Sequence, residues 1–323
     1  MLSIPDELLR SQVDFPLPEA GQYGVGNIFL PTEEARRKDC IRVLARQARR
    51  LGLRVAGWRL PLPCDAIGLG PYALATQPYI GQVFVTEAGD FDALLSDDGG
   101  SPRAGGMNKA SRKARKRPNS VDNNPQLSAN QFDLRKVREL PLDTRLYVLR
   151  KVASMRAKEM FICSLHSKTI VYKGQFKPDQ LFHYYKDLCH PNVKASMAIC
   201  HSRFSTNSFP AWQRAHPYRL VAHNGEINTF DGNRNLLRAR EALLRNNPNF
   251  AGIPIDAIFP IDEDIGSDTA LLDNMLELLA HGGRDLAEAV MMVIPEAWHK
   301  DPTMPEEKRA FYELRQKIQN LIA

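Results

Sequence analysis

The chain has 323 residues, 43% hydrophobic and 25% charged, the make-up of an ordinary soluble globular protein with one large or two ordinary domains. No apolar run approaches the roughly 18 residues that a membrane-spanning helix needs, and the first two dozen residues have neither the basic start nor the apolar stretch of a secretory signal. The net charge of +6 is local: seven Arg and Lys residues and no acid lie in "RAGGMNKASRKARKR", residues 103–117, so the rest of the chain is close to neutral. The five cysteines (Cys40, Cys64, Cys163, Cys189 and Cys200) are scattered, odd in number and form no CxxC pair. That argues against a disulfide framework and a zinc knuckle, and it fits a reducing, cytoplasmic setting.

Taken in chain order, "GQYGVGNIFLP" (21–31) reads as a buried strand. Thr32 is predicted to cap a helix that runs to about residue 51, with Glu33 and Glu34 in its first turn and basic residues later, as the helix dipole prefers. "LRVAGWRLPL" (53–62) is the next strand, and "QVFVTE" (82–87) another. Residues 96–131 are rich in Gly, Ser, Asn, Pro and charge and almost devoid of apolar side chains. They cannot bury enough surface to offset their ordering entropy, and they are expected to be a basic, disordered insertion. A helix is predicted over 142–158, two strands with a turn near Ser167 over 161–174, and a helix over 177–188. Strands are predicted over 195–206 and 218–224, then helices over about 229–245, 267–281, 284–293 and 306–321. Strands clustered between helices predict an α+β fold with sheets at least partly antiparallel.

Three stretches could carry chemistry. In "CHSRFSTNSFP" (200–210), Arg203 stands at the end of an apolar run, where a charge is costly to bury alone. Its planar fork suits a carboxylate, and Ser202, Ser205 and Thr206 offer hydroxyls beside it. In "RLVAHNGEINTF" (219–230), the apolar run stops at Asn224-Gly225. An Asn amide and a following Gly N–H can point at one oxygen, as in an oxyanion hole. In "EDIGSDTALLDN" (263–274), Ser267 and Asp268 stand where a helix begins, and Asp268 could accept an ammonium group. Each also has a plainer role: Asn-Gly as a turn, Arg203 in an ion pair, Ser267 or Asp268 as a cap. Together they describe a receptor for an α-amino acid with an amide at its far end.

"CHSRFSTNSFPAWQRAHPYRLVAHNGEINT", with "NTFDGNRN", "GSDTALLDN" and "YGVGNIFLP", resembles a class II (N-terminal nucleophile) glutamine amidotransferase. More narrowly, it is similar to the amidotransferase domain of the glutamate synthase large subunit. The likeness runs from about residue 4 to about residue 313, interrupted by the 96–131 insertion, so residues 1–323 are expected to be a partial domain of this kind. The resemblance implies a four-layer αββα fold with two facing antiparallel sheets, incomplete at the N-terminus. It implies that Arg203 holds the α-carboxylate of glutamine, with Phe204 and Thr206 lining the same pocket. Asn224 and Gly225 form the oxyanion hole, and Asp268 binds the α-amino group. In that family an N-terminal cysteine attacks the amide with its own amine as base, ammonia leaves, and water releases glutamate. FMN and an iron–sulfur cluster belong to the full-length family and none to this segment. The implied partners are glutamine, the rest of a large subunit and its small subunit.

No cysteine lies near residue 1, and the chain lacks the glycine-rich segment that follows the nucleophile in the family, so the polypeptide alone is expected to be inactive. Cys200 stands three residues before Arg203, on the opposite face if the stretch is a strand, and Cys163 reads as a core thiol. Ser202 lacks a GxSxG elbow, and His201, His216 and His223 lack metal-ligand spacing. A second reading is a non-catalytic glutamine-binding module. A third uses residues 103–117 as a tether to nucleic acid or a membrane surface. No aromatic residues interleave with those charges, so neither is an expected partner.

Overall fold

Residues Tyr23–Leu30 are buried along their whole length, so this strand must be covered on both faces. The computed structural model shows how; it describes residues 1–89, 132–204, 209–223, 227, 229–244, 246–262 and 267–322. In chain order the elements are β1 (Leu2–Ser3), α1 (Asp6–Ser11), β2 (Tyr23–Leu30), α2 (Glu34–Arg50), β3 (Leu53–Arg59), α3 (Pro71–Ala75), β4 (Tyr79–Glu87) and α4 (Leu134–Glu139). There follow α5 (Leu142–Arg156), β5 (Phe161–Ile162), β6 (Thr169–Ile170), α6 (Leu181–Tyr184), α7 (Phe230–Arg240), α8 (Asp268–His281), α9 (Leu286–Val293) and α10 (Glu306–Ile322).

The main sheet has the order β3-β4-β2-β5, with every pair antiparallel. β2 and β3 both run against β4, which lies between them, so they are parallel to each other and α2 is the crossover that parallel strands require. A second, two-stranded sheet pairs β1 with β6 antiparallel. Alternation along the strands sorts the side chains. Ile28, Leu30, Leu53, Val83 and Val85 meet Leu44 and Ala48 of α2 and Leu146, Leu149 and Val152 of α5 in one core. Tyr23, Val25, Phe29, Ile80 and Phe84 face the other way, onto Leu2, Ile170, Tyr172, Tyr184, Tyr185 and Trp212. A β-bulge between Val55 and Gly57 shifts the register of β3 near its middle. α8 sends Leu271 and Leu278 into the helix-side core. Among the described residues, no helix is long and apolar enough to cross a membrane.

Several expectations need correction. α2 starts at Glu34 with Glu33 at the N-cap and no side-chain cap bond, so Thr32 does not cap it. The two strands of 161–174 do not pair with each other: β5 joins β2, and β6 joins β1. The helix expected over 177–188 is one short α turn, α6, between 3-10 turns at Pro178–Gln180 and Lys186–Cys189. Neither 195–206 nor 218–224 forms a named strand in its described part. The first lies along the N-terminus, with Ser3 N–H donating to Met197 C=O (3.0 Å) and Ile199 N–H to Met1 C=O (2.8 Å), but only Ala198 makes a bridge. In the second, the Leu220 and Val221 N–H groups go to a carboxylate instead of a neighbouring strand, as described below. The insertion expected over 96–131 lies outside the described residues.

Candidate active site

The site is built on the first two turns of α8. Ser267 is the N-cap, its hydroxyl accepting from Ala270 N–H at 3.4 Å. Asp268 is therefore left to open the helix, at the positive end of its dipole. One oxygen of its carboxylate accepts from Thr269 N–H (2.7 Å), and the other from the backbone N–H of Ile227 at 3.2 Å. Further along, fully buried Asp273 accepts with a single oxygen from Leu220 N–H (2.7 Å) and Val221 N–H (3.0 Å). Its other oxygen lies 2.9 Å from Arg219. Arg219 also meets Glu277 at 3.0 Å and Asn274, and Glu277 pairs in turn with buried Arg150 of α5. Burial pushes the Asp273 carboxyl up from its ordinary value, and Arg219 pulls the other way.

The Arg203 stretch reaches this structure through a row of rings. Tyr218 N–H donates to Val221 C=O at 2.9 Å, and its ring lies 5.1 Å from that of His216. The His216 ring lies 4.4 Å from that of His201. Lys173, also buried, donates to Gln213 C=O (2.9 Å) and sits 4.5 Å over the Tyr218 ring. His216 is 6% exposed, and neither of its ring nitrogens has a hydrogen-bond partner among the described residues. Burial lowers its imidazole to about 4, helped by His201, Lys173 and His223 and opposed by Asp268. Two residues after His201, Arg203 donates its backbone N–H to the His201 ring at 3.1 Å and leaves its side chain exposed. Phe204 is half-buried beside it.

Of the residues expected to form the site, Arg203, Phe204 and Asp268 are thus placed. Thr206, Asn224 and Gly225 lie outside the described residues. The flanks of the Asn224-Gly225 stretch are placed, because Val221 and Ile227 are both tied to carboxylates of α8. Sequence reasoning missed Arg219, Asp273 and Glu277. The available signal was two acids and an Asn inside the apolar run "LLDNMLELL": charge on a helix face that must be buried calls for a partner. Cys163 is buried, and burial holds both Cys64 and Cys163 as thiols, pushed up to about 12. Cys200 is exposed on a segment that is no strand, so alternation does not set its face relative to Arg203. Among the described residues, no three His, Cys, Asp or Glu side chains converge as metal ligands.

Residues 1–98 and 112–321 match the family described as glutamine amidotransferases class-II. The gap between the two matched parts falls inside residues 96–131. The chain is 39% identical over 306 residues to glutamate synthase [NADH] of Schizosaccharomyces pombe, covering 94% of this chain and 12% of that protein. It is 34% identical over 323 residues to the glutamate synthase [NADPH] large chain of Bacillus subtilis, covering 98% and 18%. Ferredoxin-dependent glutamate synthase 2 of Synechocystis is 32% identical over 311 residues, covering 95% and 17%. The chain therefore spans less than a fifth of the length of these relatives.

Proposed function

The chain belongs to the class-II glutamine amidotransferases, and from that premise we propose that it is the glutamine-handling part of a glutamate synthase. It binds glutamine and supports release of ammonia from the side-chain amide. Arg203 takes the α-carboxylate with its planar fork, and Phe204 and Thr206 line the same pocket. Asp268 takes the α-ammonium, a charge suited to a carboxylate that already accepts two backbone N–H groups. The Asn224 amide and the Gly225 N–H receive the carbonyl oxygen as it gains negative charge during attack. Besides the family, the observation that carries this reading is the tethering of Leu220, Val221 and Ile227 to α8 by Asp273 and Asp268, with the ring of His201, two residues before Arg203, in contact with that of His216.

Attack on the amide needs a thiolate and a base, which the family draws from an N-terminal cysteine. We assign that role to none of Cys40, Cys64 and Cys163, because burial favours the protonated thiol in each. The cysteines of this chain do not converge on an iron–sulfur ligand set among the described residues. In this reading the FMN and the iron–sulfur cluster belong to the full-length family, outside this segment. The three relatives differ in the electron donor that their names carry, so the reading leaves the donor open. The family's four-layer αββα arrangement is part of the proposal. In its support, α2 and α5, the main sheet and the β1–β6 pair stack in that order.

Titration calorimetry of the chain with L-glutamine tests the reading. One site is expected, and Arg203→Ala should weaken it about a hundredfold, the worth of a charged bidentate contact. A folded chain that takes up no glutamine overturns it.

A further inference from the structure

The carboxylate of Asp273 does more than balance Arg219. It is 0% exposed, and a carboxylate in such a place is stabilised only by excellent partners; an apolar residue would pack there at lower cost. Its partners are not spread over the core. All those described belong to one stretch, Arg219–Val221, through a guanidinium contact at 2.9 Å and two backbone N–H groups at 2.7 and 3.0 Å. That stretch would otherwise pair its amides with a neighbouring strand, as its apolar run predicts. Asp268 stands five residues earlier on the same helix, about 7.5 Å along the axis, and holds Ile227, where the segment comes back. The two ends of the segment are thus referred to one rigid element. Arg150 and Glu277 brace that element against α5, since Glu277 pairs with both Arg150 and Arg219.

We propose that Asp273 is a positioning residue of the glutamine site. It fixes Arg219–Val221, the entry to the segment carrying Asn224 and Gly225, to the same helix that supplies Asp268. This rests on the glutamine reading and deepens it: the helix that carries Asp268 also holds Leu220, Val221 and Ile227, the described residues on either side of Asn224 and Gly225 in the sequence. The consequence is selective. Loosening Asp273 harms recognition of the amide end and spares the α-amino acid head, which belongs to Arg203 and Asp268.

The test compares two ligands in the full chain, L-glutamine and L-norvaline, which shares the α-carboxylate and ammonium but has no side-chain carbonyl. Binding is followed by NMR titration of backbone amides, and urea midpoints report folding. Asp273→Asn keeps the shape and one acceptor oxygen, and it should weaken glutamine roughly tenfold while leaving norvaline within twofold. Asp273→Ala should weaken glutamine further. Unchanged glutamine affinity in Asp273→Asn, or an equal loss for both ligands, overturns the proposal. Hydrogen exchange without ligand reads the positioning separately. The Leu220 and Val221 amides, which donate to Asp273, should exchange about tenfold faster in Asp273→Asn while that of Val85 in β4 does not change. Unaltered Leu220 and Val221 amides sink the positioning role whether or not glutamine binds. A chain whose Leu220 and Val221 amides respond but which binds no glutamine fails the glutamine reading alone.

Discussion

Arg59 meets Asp187 with both terminal nitrogens, at 2.7 and 2.9 Å, and both side chains are buried. The pair heads a row of polar residues on the face of the main sheet turned to the second core. Arg59 donates to Gln82 (2.9 Å), Gln82 to Asn27 (2.9 Å), and Asn27 to the Val171 carbonyl (2.9 Å), one residue each from β3, β4 and β2. The Tyr172 hydroxyl adds a bond to Asp187 at 3.1 Å. A buried guanidinium tolerates this place because its partners take its charge and its protons. Asp187→Ala should therefore cost about 3 to 5 kcal/mol, whereas Arg59→Met with Asp187→Leu should fall much closer to wild type. Urea unfolding measures both, and a loss under about 1 kcal/mol for the single variant would mean the pair is idle. Arg203 and Asp268 could be singled out as candidates, because a family motif is local in sequence. Arg59 and Asp187 were not, since the partners are 128 residues apart.

At the scale of elements, β2 explains its own odd composition. Gly24 and Gly26 alternate on the face turned to the helices, where Gly24 lies against the Leu146 side chain and Gly26 against the Ser164 carbonyl. Residues 163–166 run along β2, with Cys163 N–H on Asn27 C=O (2.9 Å) and Val25 N–H on His166 C=O (3.0 Å), so a side chain at 26 would strike backbone. Gly26→Ala should destabilise by about 3 kcal/mol, and Gly24→Ala by clearly less, because a Leu side chain can rotate and a sheet carbonyl cannot. Equal midpoints in urea for the two variants would contradict this. Long elements with a clear period, namely β2, α2, α5, α8 and α10, were legible in the sequence. The stretches 195–206 and 218–224 were not, because an apolar run states that a segment is buried, not what takes its amides. In the second of these the answer is Asp273, a side chain from another element.

The whole molecule holds one buried and two half-buried imidazoles among its described elements. His166 is 3.5 Å from Asp143, His281 stacks on Tyr147 with centroids 4.8 Å apart, and His216 lies among the site residues. Burial is the first cause lowering the affinity of all three for a proton, His216 to about 4. An imidazole that binds its proton less well folded than unfolded supports the fold above its unfolded value, roughly 6.5. That support is lost as pH falls from there towards 4. Wild type should accordingly lose more unfolding free energy between pH 7.5 and pH 5.0 than His216→Phe, which keeps the ring and removes the titration. Equal losses in urea unfolding at the two pH values would show that His216 is as easily protonated folded as unfolded.

By itself the sequence determined the class of fold and the family, since each is written in short-range pattern or ordered motif. It also placed the two strands flanking α2 correctly along the chain. Only the tertiary structure decided that β4 inserts between them, that the Leu220 and Val221 amides serve a carboxylate rather than a sheet, and that Arg219 meets Asp273 and Glu277 of α8. These are choices of partner, and a buried polar group takes whichever partner packing brings within reach. Partner and group lie on different elements, and no local pattern records which elements will meet.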